Sequence, residues 1–358
     1  MKIAPIMEAL VSAPRALRAH LVHTGQHYDA AMKHQFFTQL GIPHPDVDLG
    51  VGSGSHAMQT AEIMRHFEPV LDVERPQAVL VVGDVNSTIA CALVASKKGV
   101  PVIHVEAGLR SYDRAMPEEI NRVLTDQISD LLFTTERSAR DNLLREGVAD
   151  ERIHFAGNVM IDTLMRHVKQ ATPAEQTLAA VTDSAPFLAG STGFGVLTLH
   201  RPSNVDDPVV LGRLLTVLRE ISADLPLIFP IHPRTEARIA QAGLAGLLDT
   251  SRIQRLPPLG YLEMLGLMSR ARLVLTDSGG IQEETTALGV PCITLRENTE
   301  RPITVEQGTN TIVGTDAVKI MAAVSDVLKN GGKAGRVPEL WDGRAAQRIA
   351  AALCEWLP

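Results

Sequence analysis

Short continuous apolar runs alternate with helix-period segments twice along this chain. A chain so patterned can bury its strands only in parallel sheets covered on both faces. The first series predicts strands at Ala78–Val82, Val102–Glu106, Leu131–Thr135 and Ile153–Phe155, with helices at Thr88–Lys98, Glu118–Ser129 and Glu136–Glu146 between them. The stretch Ala171–Gly195, rich in Ala, Ser, Thr, Pro and Gly, reads as a connector. A second series predicts strands near Val196–Thr198, Leu227–Pro230, Ile253–Leu256, Leu273–Thr276 and Cys292–Leu295. Its helices fall near Pro208–Ser222, Tyr261–Ser269, Ile281–Leu288 and Asp316–Leu328, and a last helix spans Ala345–Trp356. The expected architecture is α/β, with two Rossmann-like doubly wound domains and a cleft between them. Residues 1–168 form the first, rejoined by the helix 343–358, and residues 169–342 form the second. At 358 residues, two cores are the natural division.

A net charge of −7 with no block of like charge argues against a broad nucleic-acid face, while leaving room for a locally basic ligand site. Cys91, Cys292 and Cys354 are far apart and form no Cys-x-x-Cys pair, so core packing in a reducing compartment is expected. The first residues carry no long apolar core, which predicts no signal peptide, no membrane span and a cytoplasmic location.

In such folds ligands bind at the carboxyl ends of strands. The strand Leu273–Thr276 runs into Asp277-Ser278-Gly279-Gly280 and directly into a helix. Free N–H groups and the positive helix end then converge on one point, which suits a diphosphate. Glu284, one turn on, is placed to accept bonds from ribose hydroxyls. An ordinary strand-to-helix turn is the plainer reading of the same residues. In the first half, Asp84 and Glu106 close apolar strands and Glu118 opens a helix. If the three line one crevice, their mutual repulsion raises a pKa, the usual preparation for acid–base work. Arg110 and Arg122 either offset that charge or grip phosphate. Helix capping accounts for Glu118 and for Asp84, but not for a glutamate that ends an apolar strand before Ala-Gly. His200 and Arg201 follow one strand of the second series and His232 follows the next, as phosphate donors, proton carriers or plain loop residues.

Other patterns carry less. Asp46-Val47-Asp48 has an Asp-x-Asp form but is expected to lie off any strand end. Gly50-Val51-Gly52-Ser53-Gly54 is expected to follow no strand and to border the cleft as a loop. The sequon Asn86-Ser87-Thr88 has no use in a cytoplasmic protein. No His/Cys cluster has metal-ligand spacing, so neither metal nor cofactor is expected.

Taken together, Thr24-Gly25-Gln26-His27, Gly83-Asp84, His104–Arg110, Pro117–Arg122, Gly157-Asn158, His200-Arg201, Asp277–Glu284, Thr299-Glu300-Arg301-Pro302 and Val313-Gly314-Thr315 resemble the non-hydrolysing UDP-N-acetylglucosamine 2-epimerases. These segments occur in that family's order and spacing over nearly the whole chain. The resemblance implies a GT-B fold, a homodimer, a UDP-sugar substrate and a role in supplying cell-envelope polysaccharide synthesis. It also implies chemistry: the C2 proton of the sugar is removed, UDP leaves C1, and 2-acetamidoglucal is reprotonated on its other face before UDP adds back. By position, Asp84, Glu106 and Glu118 look like the acid–base set, with Lys2 as the family's active-site lysine. His200 looks like a diphosphate-side residue, Arg301 falls in a matching motif, Ser278, Gly279 and Gly280 would hold phosphate, and Glu284 the ribose.

Two differences from the family are visible. Lys2-Ile3-Ala4-Pro5 matches the middle of the family's first helix, so the strand and Gly-Thr-Arg-Pro-Glu-like turn that precede it, about a dozen residues, are not in this sequence. A start placed at an internal methionine is the favoured explanation, a shortened and impaired protein the other. Gln26 and His27 lie where many bacterial members bind a second UDP-sugar, but Tyr28-Asp29 follows, which leaves allostery open. The competing readings are a 2-epimerase for a modified sugar such as a UDP-diacetamido-uronic acid, a hydrolysing relative, a GT-B glycosyltransferase, and a nucleotide-sugar binder without activity.

Overall fold

The computed structural model describes residues 1–15, 17–25, 37–179, 193–248 and 251–357. Within it the chain divides into two compact units, Met1–Arg166 with Glu339–Pro358, and His167–Pro338.

The first unit holds a parallel sheet of β3 (Val79–Val82), β4 (Val102–Ala107), β5 (Leu131–Thr134) and β6 (Ile153–Phe155), in that order. A separate parallel pair joins β1 (Val22–His23) to β2 (Val47–Asp48). Alternation along β3 sends Val79 and Val81 into one core with Ile63, Phe67 and Leu71 of the helix His56–Glu74. Leu80 and Val82 pack on the other face, where Ile103, Val105, Leu131 and Phe133 meet the helices Ile3–Val11 and Ala345–Trp356. Asp162 fastens the last of these helices by accepting from the N–H groups of Ala345 at 3.0 Å and Ala346 at 2.7 Å. Between the strands run the helices Asn86–Lys97, Pro117–Ile128 and Arg137–Arg145.

The second unit is a six-stranded parallel sheet in the order β12-β11-β10-β7-β8-β9. Its strands are β7 (Gly195–Thr198), β8 (Leu227–Pro230), β9 (Ile253–Leu256), β10 (Leu273–Thr276), β11 (Cys292–Thr294) and β12 (Asn310–Ile312). From β7 the chain builds outward one way through β8 and β9, then returns to build the other way through β10, β11 and β12. The point of reversal lies between β7 and β10, paired from Gly195↔Leu273 to Thr198↔Thr276. An open sheet presents its ligand crevice at such a reversal.

Several expectations change. Asp46-Val47-Asp48 does contribute a strand, β2, and Gly50–Gly54 follows it directly; both were hidden because a two-residue strand is too short to show a period. The stretch expected as a connector carries a helix, Ala174–Ala179, while residues 180–192 lie outside the described residues, as do Gln26, His27, Tyr28 and Asp29. Burial pushes the Cys91 thiol up to about 12 and the Cys292 thiol up to about 11, which fits core packing and not nucleophilic chemistry. No described helix is long and apolar enough to cross a membrane. Among the described residues no cluster of three or more His, Cys, Asp or Glu side chains is arranged to hold a metal ion.

Candidate active site

The acidic residues of the first unit stand on the carboxyl ends of β3 and β4. The register of β4 slips between Val105 and Ala107, and the extra residue in that bulge is Glu106, at φ +74°. A non-glycine residue there is strained by roughly 1–3 kcal/mol, and such strain collects at functional positions. The bulge turns the carboxylate onto Lys2, whose Nζ lies 2.6 Å from Oε2 and 2.8 Å from Oε1. The Glu106 side chain is 1% exposed, so its charge is taken from water and matched by one cation. Gly83, at φ +76°, lets Lys2 in: a Cβ there would stand 3.0 Å from Nζ.

Asp84 follows Gly83. Its Oδ2 lies 2.5 Å from Arg122 Nη2, and its carbonyl accepts from Asn121 Nδ2 at 2.9 Å. Arg122 also donates to Glu119 Oε2 at 2.7 Å, and Glu119 receives the N–H groups of Ser111 at 3.0 Å and Tyr112 at 2.9 Å. Of the two roles open to Arg122, offsetting charge is therefore the one its geometry serves. Arg110 needs a correction. Nε and Nη2 bond Glu146, Nη2 also pairs with Asp126 at 2.7 Å, and Nη1 donates to Leu109 O, so this buried guanidinium braces a loop and is not a phosphate grip. Asp84 and Glu106 each face a cation, Glu106 meeting Lys2 and Asp84 sharing Arg122 with Glu119. Glu118 is half-buried in the first turn of Pro117–Ile128.

In the second unit the reversal point is pinned by a 2.7 Å bond between the hydroxyls of Thr198 and Thr276. Beyond them, buried Asp277 gathers the loop after β7: it accepts from the N–H of His200 at 3.0 Å, the N–H of Arg201 at 2.9 Å and Asn204 Nδ2 at 3.2 Å. His200 Nδ1 lies 2.7 Å from Asp277 Oδ1, leaving Nε2 as the ring's remaining proton carrier. Burial alone would raise the Asp277 carboxyl, but the bonds from His200 and Arg201 hold it below its ordinary value. A carboxylate held low stabilises the fold at neutral pH and loses that contribution as pH falls through its folded value. Replacing Asp277 with Asn keeps the shape but turns an N–H₂ toward three donors. We expect Asp277→Asn to cost about 3 kcal/mol in urea unfolding at pH 7, and less in acid; equal stability of the two proteins at pH 7 would refute this.

The helix Gly279–Leu288 starts directly after, and the Ser278 side chain does not cap it, so its first N–H groups are available to an anion. Behind the turn Arg296 Nη2 donates to Glu300 Oε2 at 2.8 Å, and a Cβ on Gly279 would overlap Glu300 Oε1. Arg301 pairs with Glu283 at 2.9 Å and is 5% exposed, which makes it a brace of this turn. Glu284 is buried one turn on; burial, with the neighbouring Glu283 charge, pushes it up to about 7. His232 caps the helix Pro233–Gln241, accepting through Nδ1 from Arg234 N–H at 3.2 Å. Its ring centroid is 6.2 Å from that of His200. Burial, with the His200 and Arg234 charges, lowers its pKa.

The family follows from comparison with known proteins. A family model described as UDP-N-acetylglucosamine 2-epimerase matches residues 10–354. This chain belongs to that family. A UDP-N-acetylglucosamine 2-epimerase of Methanococcus maripaludis is 43% identical over 333 residues, 92% of this chain and 89% of the relative. A UDP-2,3-diacetamido-2,3-dideoxy-D-glucuronate 2-epimerase of Pseudomonas aeruginosa is 42% identical over 356 residues, 98% of this chain and 96% of the relative. The crystal structure of Methanocaldococcus jannaschii UDP-GlcNAc 2-epimerase in complex with UDP-GlcNAc and UDP matches with a TM-score of 0.88 at 42% identity, covering 99% of this chain and 96% of that one.

Residues to which the sequence reading gave no role brace the site through partners both near and far along the chain. Asp277 lies 77 residues from His200, Glu119 supports Arg122 and the loop at Ser111, and Arg296 and Glu300 stand behind Gly279. The only signal available was charge at buried positions, as in Gln282-Glu283-Glu284, where a solvated helix face is the ordinary interpretation.

Proposed function

We propose that the protein interconverts UDP-N-acetylglucosamine and UDP-N-acetylmannosamine. The observation that carries this reading is Glu106, strained at a strand end and clasped by Lys2, on a chain that belongs to the 2-epimerase family. In the proposed reaction a carboxylate takes the C2 proton. The C2–H electrons form the C1=C2 bond, and the C1–O bond breaks with its electron pair leaving on the β-phosphate oxygen of UDP. A proton then adds to C2 from the other face as UDP re-adds at C1. Asp84, Glu106 and Glu118 are the proton carriers, with Lys2 orienting Glu106. His200, the Ser278 hydroxyl and the N–H groups of Gly279 and Gly280 take the charge that develops on the diphosphate. Arg201 supports that group, pairing with Glu300 at 3.6 Å.

Glu284 takes the ribose hydroxyls, and this has a measurable sign. The carboxyl titrates near 7 in the free protein, and hydroxyl donors favour its ionised form, so nucleotide binding expels a proton. UDP affinity should therefore rise with pH through about 7, and calorimetry in buffers of different ionisation enthalpy should register proton release near pH 6.5. Glu284→Gln should abolish that release; an unchanged release would remove Glu284 from the ribose site.

The second reading, a UDP-2,3-diacetamido-uronate 2-epimerase, is favoured by the Pseudomonas relative, whose 42% identity is level with that of the N-acetylglucosamine enzymes. Separate incubations with the two UDP-sugars, followed by chromatography, decide between them. UDP-ManNAc formed from UDP-GlcNAc supports the first, free ManNAc with UDP indicates a hydrolysing enzyme, and epimerisation of the uronate alone establishes the second. The proposal includes a cytoplasmic enzyme supplying envelope polysaccharide synthesis, and a homodimer. A second copy would cover Ile120 and Leu124, 42% and 49% exposed one helical turn apart on Pro117–Ile128. Light scattering should give twice the monomer mass.

A further inference from the structure

Beneath Asp84 and Glu106 lies a buried polar clip centred on His104, in β4 and 0% exposed. Its Nε2 is 2.8 Å from Gly83 O and its Nδ1 is 2.6 Å from Asp126 Oδ1. A carbonyl only accepts, so Nε2 donates to Gly83, and Nδ1 shares a hydrogen bond with the Asp126 carboxyl. The other oxygen of Asp126 accepts from Gly108 N–H at 3.1 Å and pairs with Arg110 at 2.7 Å. Arg110 reaches on to the partly exposed Glu146, so His104, Asp126 and Arg110 form one connected, buried polar chain that ends toward the surface.

The clip's ends matter more than its middle. Gly83 immediately precedes Asp84, and Gly108 follows Glu106 by two residues. Gly83 is held on both sides, since its N–H donates to Val105 O at 3.0 Å while its carbonyl takes His104. Gly108, at φ +78°, is pressed so closely on Ala139 O that a Cβ would overlap it, and its carbonyl receives Asn142 Nδ2 at 2.9 Å. His104 and Asp126 thus span the β4 bulge from one side to the other and tie it to the end of β3. Replacing a buried ion pair by apolar residues commonly costs little stability, so a charged clip here is better understood as fixing geometry than as strengthening the fold.

We propose that His104, held by Asp126, is a positioning residue: it sets the Gly83–Asp84 peptide and the Glu106 bulge at the spacing that proton transfer at C2 requires. The kinetic part of this rests on the epimerase reading above; the structural part does not. In His104→Gln, kcat with UDP-GlcNAc should fall about 100-fold, the loss that goes with a misplacement of about 1 Å. KM and UDP affinity should stay within about 3-fold, because the nucleotide contacts are elsewhere. A crystal structure of the variant should show the Asp84 and Glu106 carboxylates displaced. A purely structural role would lower the melting temperature and leave kcat intact well below it. Should His104→Gln fail to fold, Asp126→Asn, of the same size, should show the same kcat loss and the same displacement. A kcat within about 3-fold of the unmodified protein, or carboxylates that stay in place, overturns the proposal. If the unmodified protein turns over neither UDP-sugar, the epimerase reading fails, and the carboxylate positions in the variant structure still decide whether His104 sets them.

Discussion

Glu106→Gln should lower kcat by about 1000-fold, within the range general acid–base catalysis supplies. Glutamine keeps the size of the side chain and can occupy the same bulge, but it cannot take a proton and leaves Lys2 Nζ without the charge it now meets at 2.6 Å. The backbone at φ +74° belongs to the bulge and should survive the change. Because the diphosphate and ribose contacts are assigned to Ser278–Glu284, KM should move much less than kcat, the pattern of an interaction made in the transition state. Initial rates at saturating UDP-GlcNAc measure this. A kcat within about 10-fold of the unmodified enzyme would remove Glu106 from proton transfer.

Gly279→Ala should weaken UDP binding by about 100-fold, or about 2.7 kcal/mol. A single added methyl acts so strongly because Glu300 cannot yield: it is 4% exposed and tied to Arg296 at 2.8 Å. Moving Glu300 aside takes its carboxylate from the buried Arg296 guanidinium, and moving the backbone instead tilts the N–H groups at Gly279 and Gly280 away from the phosphates. Gly289, at the other end of the same helix, makes the comparison. Its Cβ position is open, although φ is +71°, so Gly289→Ala should cost a modest amount of stability without loss of UDP affinity. Titration calorimetry of both variants checks this, and near-unmodified affinity in Gly279→Ala would move the diphosphate elsewhere.

Backbone features were the legible part of the sequence. Strands such as β3, β8 and β10 could be read because each is a mainly apolar run next to Gly, Pro or Asp, whereas β9 carries Gln254 and Arg255 at its centre. Glu106 was also legible, since a glutamate ending such a run has no packing explanation; what the sequence did not show was the bulge at positive φ. The helix His56–Glu74 was missed because Pro69 lies inside it and its apolar positions Ile63, Phe67 and Leu71 are sparse among polar neighbours. Arg110 and Arg122 were harder. An arginine near a phosphate motif looks like a ligand contact until its partners are known, and Asp126, Glu146 and Asp84 come from other segments. Pair-specific electrostatics is set by the packing of distant elements, which local pattern does not encode.

Solvent exchange at C2 tests the central claim most directly. Incubated with UDP-GlcNAc in deuterated water and followed by proton NMR, the protein should form UDP-ManNAc carrying deuterium at C2, and the C2 proton of recovered UDP-GlcNAc should disappear with time. UDP-ManNAc formed with its C2 proton retained would contradict proton removal by Asp84, Glu106 or Glu118. No exchange and no epimer, from protein that binds UDP, would contradict the epimerase assignment itself.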